Sequence, residues 1–218
     1  MSARQGFATL PSGPLILASH STMRRRLLEN AGFDIVCHAI QIDEDTVRKA
    51  CAGEGIDAGD TAILLAEMKG LAVAQSATFE QGRLLLAADQ ILEIDGDMIG
   101  KPSDRAAAAA QLERLSGATH RLHTAAVIFR DGQRIWHHLA RAELHVRPLT
   151  SAQIDAYLDV IGDAAFWSPG SYQLEGAGLH LFSRIEGCHF GILGLPLIEI
   201  AGFLRGHGLS VGPAKGFA

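Results

Sequence analysis

Cysteine is scarce in this chain. The three present (Cys37, Cys51 and Cys188) are odd in number and widely spaced along 218 residues, which leaves no disulfide framework and fits a reducing cytoplasm. No apolar run approaches the roughly 20 residues of a membrane span, so no membrane partner is expected. Residues 1–14 lack the long apolar core and cleavage pattern of a signal peptide and are expected as a loose tail, as are residues 210–218. No Pro/Ser/Gly linker or charge block divides the chain, so 15–209 is expected as one domain. The formal charge of −5 argues against nucleic-acid binding, whose affinity comes from clustered Lys and Arg. There is no fixed-period repeat, no G-x-S-x-G elbow, no P-loop and no dinucleotide fingerprint. The ten histidines suggest zinc, but His120 and His123 lack helical ligand spacing, and His137 and His138 on a strand would face opposite ways. The histidines are expected at the surface.

What is present is an α/β pattern with a mixed twisted sheet flanked by helices. Strands are expected at Leu15–Ala18, Ile35–Ile40, Leu84–Ala88, His123–Arg130 and Arg134–Val146, and helices at Thr22–Ala31, Thr61–Gln75, Asp104–Leu115, Ser151–Val160 and Leu197–Gly206. Asp95-Gly96 predicts a hairpin turn after a partner strand around Ile91–Ile94.

The most informative stretch is Leu84–Ala88, an apolar strand followed at once by Asp89 and Gln90. An ionised carboxylate at the end of a buried strand needs a metal ion, a buried cation or a raised pKa, because desolvating it alone costs several kcal/mol, roughly. Gly100-Lys101-Pro102 offers a cation on the far arm of the hairpin. Met23-Arg24-Arg25-Arg26 opens a helix capped by Ser21, where positive charge opposes the macrodipole at roughly 0.3–1 kcal/mol each; a bound anion would reverse that sign. Arg24 shares a face with Leu27 and Leu28 and points inward, whereas Arg26 reads as a surface partner of Glu29. Lys69 lies on an apolar helix face, either snorkelling or directed into a phosphate site. Ile42-Asp43-Glu44-Asp45 is either a solvated acidic loop or a source of hard oxygen ligands.

Taken in order, Leu15–Ser21 before an arginine-rich helix, Ile42-Asp43-Glu44, Leu65-Ala66 with Lys69, Ala88-Asp89, Gly100-Lys101-Pro102, Leu115-Ser116-Gly117 and Gly194-Leu195-Pro196 resemble the Maf family of nucleotide pyrophosphatases from Leu15 to about Leu209. The resemblance implies a Maf/ITPase-like fold with a central cleft. It also implies a cytoplasmic, homodimeric enzyme that hydrolyses a nucleoside triphosphate to monophosphate and pyrophosphate with Mg²⁺ or Mn²⁺. It casts Asp89 as base or metal ligand and Glu44 as the second metal ligand. Ser19, Arg24, Lys69 and Lys101 become phosphate-binding groups. Gln90 and Glu175 match the branch assigned to 7-methyl-GTP, in which Met23 stands at a tryptophan position; these three are expected to choose the base. Two alternatives stay open: a dTTP/UTP pyrophosphatase of the common Maf type, and a non-catalytic nucleotide-binding protein affecting septum formation.

Overall fold

In a computed structural model of the protein, which describes residues 7–76 and 79–211, a mixed sheet is built around one long strand. β1 (Ala8–Thr9) precedes β2 (Leu15–Ala18), α1 (Thr22–Asn30), β3 (Ile35–Cys37), α2 (Glu44–Gly53) and α3 (Ala58–Ala74). The central β4 (Leu84–Ile94) then leads through β5 (Asp97–Ile99) and α4 (Arg105–Leu115) to β6 (Thr119–Arg130) and β7 (Gln133–Val146). α5 (Ser151–Ile161), β8 (Phe182–Glu186), α6 (His189–Ile192), α7 (Leu197–Arg205) and β9 (Ser210–Val211) complete the order. The sheet runs β3-β2-β4-β6-β7-β8, with β5 on β4. β2 pairs parallel with β3 and β4, and the remaining pairs are antiparallel.

Side chains alternate between the two faces of β4, as the period of two requires. Leu84, Leu86 and Ala88 join Leu27 and Leu28 of α1 and Ile200 and Leu204 of α7. Leu85, Ala87 and Ile91 pack on Ala62, Leu65, Ala66 and Val73 of α3. Further along, Leu92 and Ile94 meet Leu112 and Leu115 of α4 and Leu158 of α5. Asp95 and Gly96 take φ of 53° and 84°, the double left-handed turn that an Asp-Gly hairpin uses.

Several expectations are corrected. β4 does not stop at Ala88; its pairing with β6 continues to Glu93↔Arg121, because Asp89 and Gln90 find partners on opposite faces and can stay in the ladder. Ile91–Ile94 is therefore the second half of β4, and the hairpin partner is β5. The acidic cluster is no loop. Asp43 caps α2 by accepting from Thr46 N at 3.0 Å, and Glu44 and Asp45 sit in its first turn, where the dipole favours negative charge. Arg25, not Arg26, pairs with Glu29, at 2.7 Å. His120 and His123 are buried; their ring Nε2 atoms meet Tyr172 Oη at 2.9 Å and Glu93 Oε2 at 2.7 Å. Parts of the expected tails are paired: Ala8–Thr9 runs antiparallel to Ser210–Val211. Among the described residues no helix is long and apolar enough to cross a membrane.

Candidate active site

Asp89 projects from the middle of β4 toward α3, only 4% exposed. Lys69 of α3 reaches it: Nζ donates to Asp89 Oδ1 and lies 2.7 Å from Glu44 Oε1, on the first turn of α2. One ammonium thus draws two carboxylate oxygens together from different elements. Arg24 adds a second buried cation. Its Nε donates to Gly194 O and its Nη1 to Ala88 O, each at 2.9 Å, with Ser19 Oγ at 3.4 Å from Nη1. Ser21 accepts from Arg24 N at 3.3 Å, so the helix cap and the buried side chain belong to one turn.

These neighbours set the protonation states. Burial pushes the Asp89 carboxyl above its usual range; Lys69 and Arg24 pull it down and Glu44 adds to the rise. Burial also works against the Glu44 carboxylate, but Lys69, Lys101 and Arg24 together outweigh it and hold Glu44 below its usual value. Two carboxylates converging on one buried lysine, with shifted protonation, mark this as the candidate functional site. Hard oxygens of Asp89 and Glu44 already converge on one positive centre. That donor set suits Mg²⁺ or Mn²⁺, which commonly take one or two carboxylates plus substrate phosphates.

The remaining expected residues fall into two groups. Lys101 is exposed on the loop after β5, and its charge bears on Glu44. Gln90 points away from Asp89, through the other face of the sheet. Its Nε2 donates to Thr124 Oγ1 at 2.8 Å and to Gly191 O and Ile192 O at 3.1 Å each. Glu175 is exposed, with Oε1 at 3.5 Å from His189 Nε2. Met23 is half-buried in the same apolar cluster as Phe190. Gln90 and Glu175 therefore reach α6, Gln90 through the face of the sheet opposite Asp89, and Met23 packs on the core of that same face.

Arg48 joins the site without a motif of its own. It stands one turn after Glu44 on α2, pairs with Asp45 at 2.8 Å, and lies over Gly100, whose added Cβ would fall 2.2 Å from its Nη2. The spacing Glu44–Arg48 was its only signal, visible once α2 is a helix. Glu143, His145 and Glu186 also bring ligand atoms within 4.8 Å of one another, but on β7 and β8, with Arg121 on Glu143 and Arg184 on Glu186, each at 2.8 Å.

A family model described as Maf-like protein matches residues 14–207. A nucleoside triphosphate pyrophosphatase of Rhodopseudomonas palustris (strain ATCC BAA-98 / CGA009) is 47% identical over 197 residues, covering 90% of this chain and 95% of the relative. Nucleoside triphosphate pyrophosphatase 1 of Jannaschia sp. is 45% identical over 195 residues, 89% of this chain and 97% of the relative. A nucleoside triphosphate pyrophosphatase of Caulobacter vibrioides is 42% identical, with 89% and 96% covered.

Proposed function

The chain belongs to the Maf family and is a nucleoside triphosphate pyrophosphatase, and we propose that its substrate is 7-methyl-GTP or a closely related modified nucleotide, cleared before it reaches nucleic acid. The observation that carries the chemistry is the Lys69 ammonium shared by Asp89 and Glu44 beside the buried Arg24. A divalent cation held by Asp89 and Glu44 would polarise the phosphoanhydride and lower the cost of its developing charge. Asp89, ionised above its raised pKa, accepts a proton from the water that attacks between the α and β phosphates, and pyrophosphate leaves. Lys69, Lys101 and Arg24 neutralise the triphosphate. Arg24 acts from a fixed position because two carbonyls hold its fork. Ser19 hydrogen-bonds a phosphate oxygen.

Base choice is assigned to the group around α6. Gln90 holds the carbonyls of Gly191 and Ile192, Glu175 stands beside His189, and Met23 packs in the cluster that includes Phe190. A carboxylate at Glu175 accepts from the N1–H and amine of guanine and favours the positive charge of the methylated ring. The thioether of Met23 gives that ring a polarizable contact. The family resemblance supports a homodimer in the cytoplasm, which light scattering and fractionation check. The deciding experiment is pyrophosphate release with Mg²⁺ or Mn²⁺ from 7-methyl-GTP, GTP, dTTP and UTP. Selective release from 7-methyl-GTP is expected. Preference for dTTP or UTP would overturn the base assignment, and no release from any nucleotide would overturn the activity.

A further inference from the structure

Gln111 of α4 reaches between two loops that carry different parts of this site. Its Nε2 donates to Gly100 O at 2.8 Å, and its Oε1 accepts from Gly170 N at 2.9 Å. Gly100 immediately precedes Lys101, the cation on the phosphate side. Gly170 opens the segment that runs to Glu175, on the base side. Gly170, at φ of 79°, has no room for a side chain, and one at Gly100 would have to displace the Arg48 guanidinium. A Cβ on Gly100 would meet the Arg48 guanidinium, and one on Gly170 would lie 2.6 Å from the Tyr172 ring.

The segment after Gly170 is held in an unfavourable conformation. Ser171 takes φ of 55° while fully buried, and its Oγ has no partner among the described residues. A residue with a Cβ stays in the left-handed region only where its surroundings hold it there. α4 is a firm base for such a hold. Asp104 caps it by accepting from Ala107 N at 2.8 Å, and Ala108, Leu112 and Leu115 are buried beneath it.

We propose that Gln111 is a positioning residue that couples the Lys101 loop to the Gly170–Glu175 segment, so that engagement of the phosphates orders the base-reading side. The proposal rests on the reading of Lys101 and Glu175 given above. Its side chain uses a donor toward one loop and an acceptor toward the other, and among the natural side chains of this length only an amide offers both. Loss of the coupling would misplace both loops while leaving Asp89, Lys69 and Glu44 in contact.

Inorganic tripolyphosphate with Mg²⁺ tests this, since it carries the phosphates without a base. In the unaltered protein, tripolyphosphate is expected to slow amide hydrogen exchange both around Gly100–Lys101 and across 170–176. In Gln111→Ala it should protect the first segment alone. In Gln111→Glu, which keeps the acceptor and loses the donor, 170–176 should again lose its response while the thermal midpoint stays closer to that of the unaltered chain. In turnover, Gln111→Ala should narrow the preference between 7-methyl-GTP and GTP by about tenfold, a hydrogen-bond-sized effect, with KM moving more than kcat. Protection of 170–176 that survives in both variants, or is missing in the unaltered protein, overturns the coupling even where pyrophosphate release is normal. No protection of either segment, with no release from any nucleotide, removes the reading beneath it as well.

Discussion

At the residue scale, the site turns on a carboxylate held where water would not leave it charged. Asp89 binds its proton more tightly in the folded protein than in the unfolded chain, because burial outweighs Lys69 and Arg24. Folding stability from this group is therefore full below the ordinary aspartate range and is lost as pH rises through the raised value. Asp89→Asn removes that loss while Glu44 still pairs with Lys69. The variant is expected to unfold at a higher temperature than the unaltered protein at pH 7, with the gain shrinking below about pH 4, and to lose about 10²–10⁴-fold in turnover. Unchanged turnover would remove Asp89 as the base. His120 carries the opposite sign. Burial, aided by His145, pushes its pKa down to about 4, so stability is present above the unfolded value and is lost as pH falls from about 6.5 toward about 4. The loss is on the order of 3 kcal/mol; urea midpoints at pH 7 and 4.5 measure it, and His120→Gln should flatten the difference. The sequence discloses that Asp89 needs a metal ion, a buried cation or a raised pKa, and offers Lys69, Arg24 and Lys101 as cations. It could not disclose that Lys69 would pair with Asp89 in the interior and that Arg24 would bind the adjacent Ala88 carbonyl, because those residues lie 20 and 65 positions away and only packing brings them near.

At the scale of elements, α3 carries the lysine and must lie close to the sheet for it to reach. Gly70 makes this approach possible: a Cβ there would fall 2.4 Å from Phe129 Cε2 and 3.3 Å from Ala87 Cβ. Gly70→Ala gains roughly 1 kcal/mol of helix propensity but forces a fully packed ring aside, at about 1–3 kcal/mol. The net expectation is a lower urea midpoint, with kcat falling because Lys69 is the neighbouring residue. Phe129→Leu in the same chain should recover much of both, and failure to recover either would mean that Gly70 acts otherwise than through this contact. The elements themselves were unevenly legible. β2 and α1 follow from an apolar run and from the Ser21 cap, since local pattern and burial agree there. α2 is hard to read locally because its first turn, Glu44-Asp45, looks like polar loop unless Asp43 is seen as a cap for Thr46. β4 looks like two pieces in sequence because alternation cannot show that a polar pair mid-strand is satisfied from both sides. The separation of Gln90 from Asp89 follows from one unbroken strand, whose successive side chains face opposite ways.

At the scale of the whole molecule, the groups assigned to one nucleotide come from elements spread along most of the chain. Arg24 is on α1, Glu44 on α2, Lys69 on α3, Asp89 on β4, Lys101 on the loop after β5, and Glu175 lies before β8. They also come from both faces of the sheet, through the Lys69–Asp89 pair on one side and the Gln90–Gly191 contact on the other. A ligand spanning such a set binds the native state and has no comparable site in the unfolded chain, so it must raise global stability by linkage, by about 2.7 kcal/mol at a hundredfold excess over its dissociation constant. An α,β-methylene analogue of 7-methyl-GTP cannot be cleaved between those phosphates and so isolates binding. With Mg²⁺ it is expected to raise the thermal midpoint more than the sum of analogue alone and Mg²⁺ alone, as a metal shared between the two carboxylates and the phosphates would require. Glu44→Gln should abolish this excess while leaving the metal-independent part, which the cations at 24, 69 and 101 supply. An equal rise with and without Mg²⁺, or an excess untouched by Glu44→Gln, would take Glu44 out of the metal's coordination and leave it only as the partner of Lys69.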